Sequence, residues 1–424
     1  MINKNRLALP FFAFAALFVV SSMNLLAQDW KQWRGANREG VLKQSGLNLD
    51  WAQKKPPLAW TFRDAGAGYS APVVDGTTLY AQGATNGSDF AFALDTRTGK
   101  LKWKQNLGAE FVEERGNGAR GSVTIDGDKL YLIRGGGMIH CLSAADGKML
   151  WQKDIVKDFS GERMGGWGFS ESPLIDGNLL ICTPGGSQGT LIALDKNTGA
   201  VVWRTKEWTD IAGYSSPIVA VVNGVRQYIQ QSGVGVAGVS ASDGKLLWRT
   251  EVAGYRIAVI PTPVYHDNMV FVSAGYGAGC ALVKLSKVGD NFTATTAYAN
   301  TNMVNHHGGV FLLNGHIYGF SDASGWVCLN MNTGEQVWTQ RRDVVGKGAV
   351  LGVNDRMILL EERSGLMVVV EASPNGWKEF GRMEMPERSK VESRDRAVWT
   401  HVVIADGKLF LRDHDLLFCF DLTK

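Results

Sequence analysis

Ala93-Leu94-Asp95-Thr96-Arg97-Thr98-Gly99-Lys100-Leu101-Lys102-Trp103 decides the fold of this chain, because its pattern returns at Ala193-Leu194-Asp195-Lys196-Asn197-Thr198-Gly199-Ala200-Val201-Val202-Trp203. Looser versions occur at Asp146-Gly147 with Trp151, Asp243-Gly244 with Trp248 and Thr333-Gly334 with Trp338, and in each the Trp stands four residues after the Gly. A second signal alternates with the first. Two-residue turns separate short apolar runs at Asp75-Gly76, Asp126-Gly127, Asp176-Gly177, Asn223-Gly224, Asp267-Asn268, Asn314-Gly315, Asn354-Asp355 and Asp406-Gly407. Asx-Gly pairs tolerate the positive φ angles of tight hairpins, so each marks two antiparallel strands. The unit recurs about every 45–50 residues and reads through eight times. Four strands per unit at that period mean radial repetition, an all-β, eight-bladed β-propeller of four-stranded antiparallel blades.

The last unit supplies only three strands before the chain stops at Lys424. Upstream of the first, Pro57-Leu58-Ala59-Trp60-Thr61-Phe62 resembles the fourth-strand segments Lys100–Lys104 and Lys245–Arg249. Pairing it with the final blade closes the ring and removes two exposed edges. The expected organisation is a leader at 1–27, an N-terminal segment at 28–56 and the propeller at 57–424. The leader reading rests on Lys4 and Arg6, an apolar run from Leu7 to Val20, and small Ala27 as the cleavage point. An uncleaved membrane anchor is the alternative, and no Cys follows the run as a lipid acceptor; a periplasmic or secreted protein is expected, with no integral membrane segment after cleavage.

The chain carries 44 Lys and Arg against 41 Asp and Glu, leaving 42 against 41 once Lys4 and Arg6 are set aside. A balanced charge gives no reason to expect nucleic acid as partner. Cys141, Cys328 and Cys419 occupy one repeat position, and equivalent positions on different blades lie too far apart for a disulfide. Buried free thiols are expected. The connection 378–398 is rich in charge, with Arg388, Lys390, Glu392, Arg394, Asp395 and Arg396, and reads as a solvated loop.

The Ala-Leu-Asp-x-x-Thr-Gly-x-x-x-Trp pattern resembles the repeat of pyrroloquinoline-quinone (PQQ) type propellers over residues 57–424. That superfamily includes quinoprotein alcohol dehydrogenases and a propeller of outer-membrane protein assembly. Trp30-Lys31-Gln32-Trp33-Arg34-Gly35-x-x-Arg38-x-Gly40 resembles the opening of exported bacterial PQQ-like repeat proteins. Asn305-His306-His307-Gly308-Gly309 and Gly346-Lys347-Gly348 are similar to that group too. The resemblance implies PQQ with Ca²⁺ as the cofactor to consider. Such a site needs cations for the carboxylates, oxygen ligands for calcium, a base and two flat walls. Against the dehydrogenases, the chain has no adjacent cysteine pair and no Cys-x-x-Cys-His haem signature.

Inner strands of a propeller start at one rim of its channel. The residues before each first strand therefore ring one mouth: Tyr69, Arg120, Ser170, Ser215, Thr262, His307, Lys347 and His401, with His306 beside them. Glu361, Glu362 and Arg363 end a second strand and fall at the channel or at its opposite edge. Arg120, Lys347 and the histidines suggest a small anionic ligand. Adjacent histidines on a strand point to opposite faces, so no metal site is read from His306-His307. The leading expectation is a monomeric binding or scaffold module, holding that ligand or an envelope protein partner. A PQQ-dependent oxidoreductase and an envelope assembly factor are the alternatives.

Overall fold

In the hairpins, Asn223, Asp267, Asn268, Asn314 and Asp406 all take positive φ between 46° and 58°, the geometry that two-residue loops demand. These turns build eight four-stranded units around one axis, in a computed structural model that describes residues 29–423. The leader and its cleavage point lie outside those residues. Blade 1 is representative: Val73–Asp75, Thr78–Thr85, Ser88–Asp95 and Leu101–Ala109 run antiparallel from axis to rim. A five-residue helix, Ile155–Phe159, is the only one among the described residues.

Blade 8 consists of Val403–Ala405, Lys408–Asp413 and Leu416–Asp421, and its outer strand is the N-terminal Leu58–Phe62. Trp60 pairs with Cys419 and Phe62 with Leu417 in this closure. All five cysteines are buried and free.

The repeated Trp holds each blade to the next. Trp60, Trp103 and Trp151 donate their indole N–H to the backbone carbonyls of Thr96, Ala144 and Lys196, at 2.9, 3.0 and 3.0 Å. Each ring lies over the turn glycine of the following blade, Gly99, Gly147 and Gly199. A Cβ on Gly147, whose φ is +74°, would sit 2.6 Å from Trp103. This explains both halves of the signature: the glycine makes the turn and leaves room for its neighbour's indole. Tyr298 takes the ring's place between blades 5 and 6, bonding the Met331 carbonyl at 2.8 Å over Gly334.

Two expectations need correction. Residues 378–398 are more than a loop, since Glu379–Met383 is the outer strand of blade 7. The remainder docks rather than floating in solvent: Arg394 reaches Glu114 at 2.5 Å, and Asp395 reaches Arg115 at 2.8 Å.

Candidate functional site

The N-terminal motif closes the axis. Trp30 bridges Val74 of blade 1, and the Lys31 carbonyl accepts from Ile125 of blade 2. Arg38 donates to the carbonyls of Ser172, Pro173 and Pro217, at blades 3 and 4. The Trp33 indole bonds Thr262 at 2.9 Å ahead of blade 5, and Arg34 reaches the Val310 carbonyl of blade 6. Val41–Leu42 pairs in parallel with the inner strand of blade 7, Gly348–Val353. Trp33 meets the His401 ring, ahead of blade 8, edge-on at 4.6 Å. A segment of about a dozen residues thus touches all eight units. Gly35 and Gly40 are required because their α-carbons lie against Trp30 and the Arg34 guanidinium. Burial lowers Arg38 to about 9, still a cation at neutral pH.

With its floor made by Trp33, the channel becomes a blind cavity of about 180 Å³. Its walls are aromatic: Trp33, Tyr69, Trp167, Tyr214, Tyr276 and Trp399 line it with His306, His307 and His401. Tyr276 meets His306 at 4.6 Å, His306 meets His307 at 5.2 Å, His307 meets Trp399 at 5.8 Å, and Trp399 meets Tyr69 at 5.1 Å. The rings form a continuous belt.

Tyr69, Arg120, Ser170, His306, His307 and His401 are brought together at this mouth. Lys347 stands just behind, its ammonium 2.7 Å from His306 Nδ1 and 2.9 Å from Asp322. Ser215 is turned away, donating to the Pro261 carbonyl at 2.9 Å, and Ser216 lines the cavity in its place. Glu361 does not line the cavity; its carboxylate accepts from Ser364 and tightens a hairpin. The neighbouring Glu362 reaches the site, 2.7 Å from His307 Nε2 and 2.9 Å from the Trp399 indole nitrogen.

The cations are already engaged. Arg120 donates to the carbonyls of Gly116, Gly118 and Trp167 and faces Glu113 at 3.3 Å. Burial lowers its pKa, a cost that its bonding offsets. Arg115 pairs with Asp395, but its buried Nε–H has no partner. His306 and His401 are lowered to about 3, first by burial and then by neighbouring positive charge, so both are neutral at pH 7.

Sequence reasoning missed Trp33, Arg115, Trp167, Tyr214, Tyr276 and Trp399. The tryptophan-arginine motif signalled the first. The rest lie in connections that do not repeat, where no period exposes them.

A calcium-held quinone does not fit these groups. No three His, Cys, Asp or Glu side chains converge as a metal site among the described residues. Glu113, Asp395 and Glu362 are tied to Arg120, Arg115 and His307, and among the described residues lining the cavity no unpaired cation is left for three ligand carboxylates.

The family model described as outer membrane protein assembly factor BamB matches residues 92–340. The BamB protein of Yersinia pestis is 27% identical over 265 residues, which are 58% of this chain and 63% of that protein. The match thus spans less than two thirds of that relative. The crystal structure of BamB from Moraxella catarrhalis superposes with a TM-score of 0.58 at 15% identity, covering 86% of this chain and 97% of that one. Quinohemoprotein alcohol dehydrogenase from Comamonas testosteroni gives 0.62 at 11% identity, covering 93% and 81%. At such identities the two structures testify to the fold alone.

Proposed function

Because the chain belongs to the PQQ-like propeller family described as outer membrane protein assembly factor BamB, we propose that it is an exported binding module of the cell envelope whose axial cavity takes one small, flat ligand. The carrying observation is the blind, ring-walled cavity. A channel that merely holds water needs no belt of rings, whereas flat apolar walls with a few convergent polar groups are what a small-molecule site requires. Neutralisation of the arginines and the lysine argues that shape, rather than fixed positive charge, selects the ligand. The expected small anion is therefore replaced by a flat molecule.

A ligand-observed NMR comparison of flat aromatic fragments with their saturated counterparts tests this reading. Flat fragments should bind at one site per chain, and Ser170→Trp, which fills the cavity, should abolish the signal. Equal binding of saturated fragments, or indifference to Ser170→Trp, would sink it. PQQ titrated with and without Ca²⁺ in parallel separates the quinoprotein alternative, for which binding would depend on calcium.

A second reading, docking of an envelope protein, is favoured by the family match and by one surface feature. The outer strands leave Leu101, Leu150, Val201, Val202 and Val337 between 43% and 53% exposed, an apolar band at unpaired edges. Photocrosslinking from position 202 in intact envelopes should capture one discrete partner if this band docks; a diffuse smear would count against it.

A further inference from the structure

Pairing the charges at the mouth leaves one carboxylate over. Arg120 faces Glu113, Arg115 faces Asp395, and Lys347 faces Asp322. Glu362 is met instead by two ring N–H groups, from His307 and Trp399. Burial acts to raise its pKa, the bonds donated by His307 and Trp399 and the charge of Lys347 act to lower it, and the net shift is downward. Glu362 is thus an anion at neutral pH.

Its presence fixes the tautomer of His307. In the neutral ring Nε2 carries the hydrogen that the carboxylate accepts, and Nδ1 then presents a lone pair. That nitrogen bonds no other group among the described residues, and the ring lines the cavity. His306 is fixed in the opposite sense. An ammonium only donates, so Lys347 makes His306 Nδ1 an acceptor and leaves the hydrogen on Nε2. The wall therefore shows a lone pair and an N–H on adjacent rings.

We propose that this arrangement makes the cavity a receptor for a flat ring bearing an acidic hydroxyl, a phenol or hydroxy-heteroaromatic, and that His307 takes the hydroxyl proton on binding. The inference rests on the reading of the cavity as a ligand site. The ligand O–H bond breaks, its electron pair stays on oxygen, and the proton passes to His307 Nδ1. The imidazolium then stands between the new oxyanion and Glu362, while His306 Nε2–H is the donor available to the oxyanion. A preformed anion would enter a site that already holds a surplus carboxylate. A neutral acid carries its own proton in, and the total charge does not change. Glu362 is a positioning residue here, acting through His307 and never touching the ligand.

The probe is 4-nitrophenol, whose phenolate absorbs at longer wavelength than the neutral phenol. It is added to the full chain at a pH about one unit below its own pKa. The bound dye should show the phenolate band at one equivalent per chain, and Ser170→Trp should remove it. His307→Phe should bind the dye with only the neutral band. Glu362→Gln should lower the bound phenolate-to-phenol ratio about tenfold, the equivalent of one pKa unit. Wild-type protein that binds the dye in its neutral form overturns the inference and leaves the flat-ligand reading standing. Failure of wild-type protein to bind the dye overturns the inference, and the fragment comparison then decides that reading separately. Because the wild-type spectrum decides, the test survives a variant that fails to fold.

Discussion

The rim and the axis of this propeller solve one problem, joining eight blades, with different chemistry. At the rim Trp60, Trp103 and Trp151 each bond one carbonyl of the next blade and cover one glycine. These links are pairwise and alike, as in other repeat arrays whose stability is a sum of neighbour terms. At the axis two arginines and two tryptophans of a single segment, with its Lys31 carbonyl and its Val41–Leu42 strand, serve all eight blades, and Arg412 adds its own bonds to the carbonyls of Ala65, Gly66, Ser70 and Gln82. The rim links follow the period and the axial links do not. The lesson is that repetition builds the ring, while the unrepeated parts turn its channel into a site.

The largest effect should come from the one rim link made by residues remote in sequence. Deleting residues 57–62 removes both the outer strand of blade 8 and the Trp60 link to blade 1. The expected outcome is loss of the single cooperative urea transition. A cooperative transition near wild-type stability would mean that the axial segment alone holds the ring closed.

Next come substitutions that set the two regions against each other. Trp103→Ala should cost about 3 kcal/mol, at the lower end for truncating a largely buried indole, and leave ligand binding in the cavity intact. Trp399→Ala should cost about 1 kcal/mol and abolish binding. Urea midpoints and fragment titrations on both proteins supply the four values. Equal stability losses would erase the distinction between rim and mouth aromatics. Arg38→Ala tests the axial segment: it strands three buried carbonyls, each worth about 1 kcal/mol or more. It should also weaken ligand binding by loosening Trp33, which no rim substitution should do.

The same division explains what could be read from residue order. Asp146-Gly147 and Trp151 declare themselves because they recur, and recurrence yields the blade count, the turns and the closing strand near Leu58–Phe62. The inner-strand starts follow from that register to within one residue, which is why Ser215 stands for Ser216. Arg115, Tyr276 and Trp399 were illegible because they enter from loops of unequal length, and only the closed ring brings them together. Trp33, Arg34 and Arg38 lay between these cases: the motif was visible, but its spacing matches no strand or helix face. Its residues are arranged to reach carbonyls on separate blades.

The last comparison distinguishes the regions by pH. Glu171, between two serines of the cavity wall, is buried, accepts from the Thr183 backbone N–H at 2.6 Å, and leaves its second oxygen without a partner. Burial, the dominant cause, raises it from 4.5 to about 7. The folded protein then holds this proton more tightly than the unfolded chain. The group's contribution is complete below pH 4.5 and is lost as pH rises through about 7, a change on the order of 3 kcal/mol. The buried histidines act oppositely. His140, His306 and His401, lowered to about 3, favour the fold above pH 6.5 and lose that contribution as pH falls. The wild-type pH profile therefore mixes both slopes and underreports each. Comparing urea midpoints of Glu171→Gln and wild type from pH 4.5 to 7.5 cancels the histidines. The variant should gain on wild type steadily across that window, whereas the loss from Trp103→Ala should stay level. A level Glu171→Gln difference would mean that this carboxyl is ionised in the fold, and that the axis is better solvated than its packing implies.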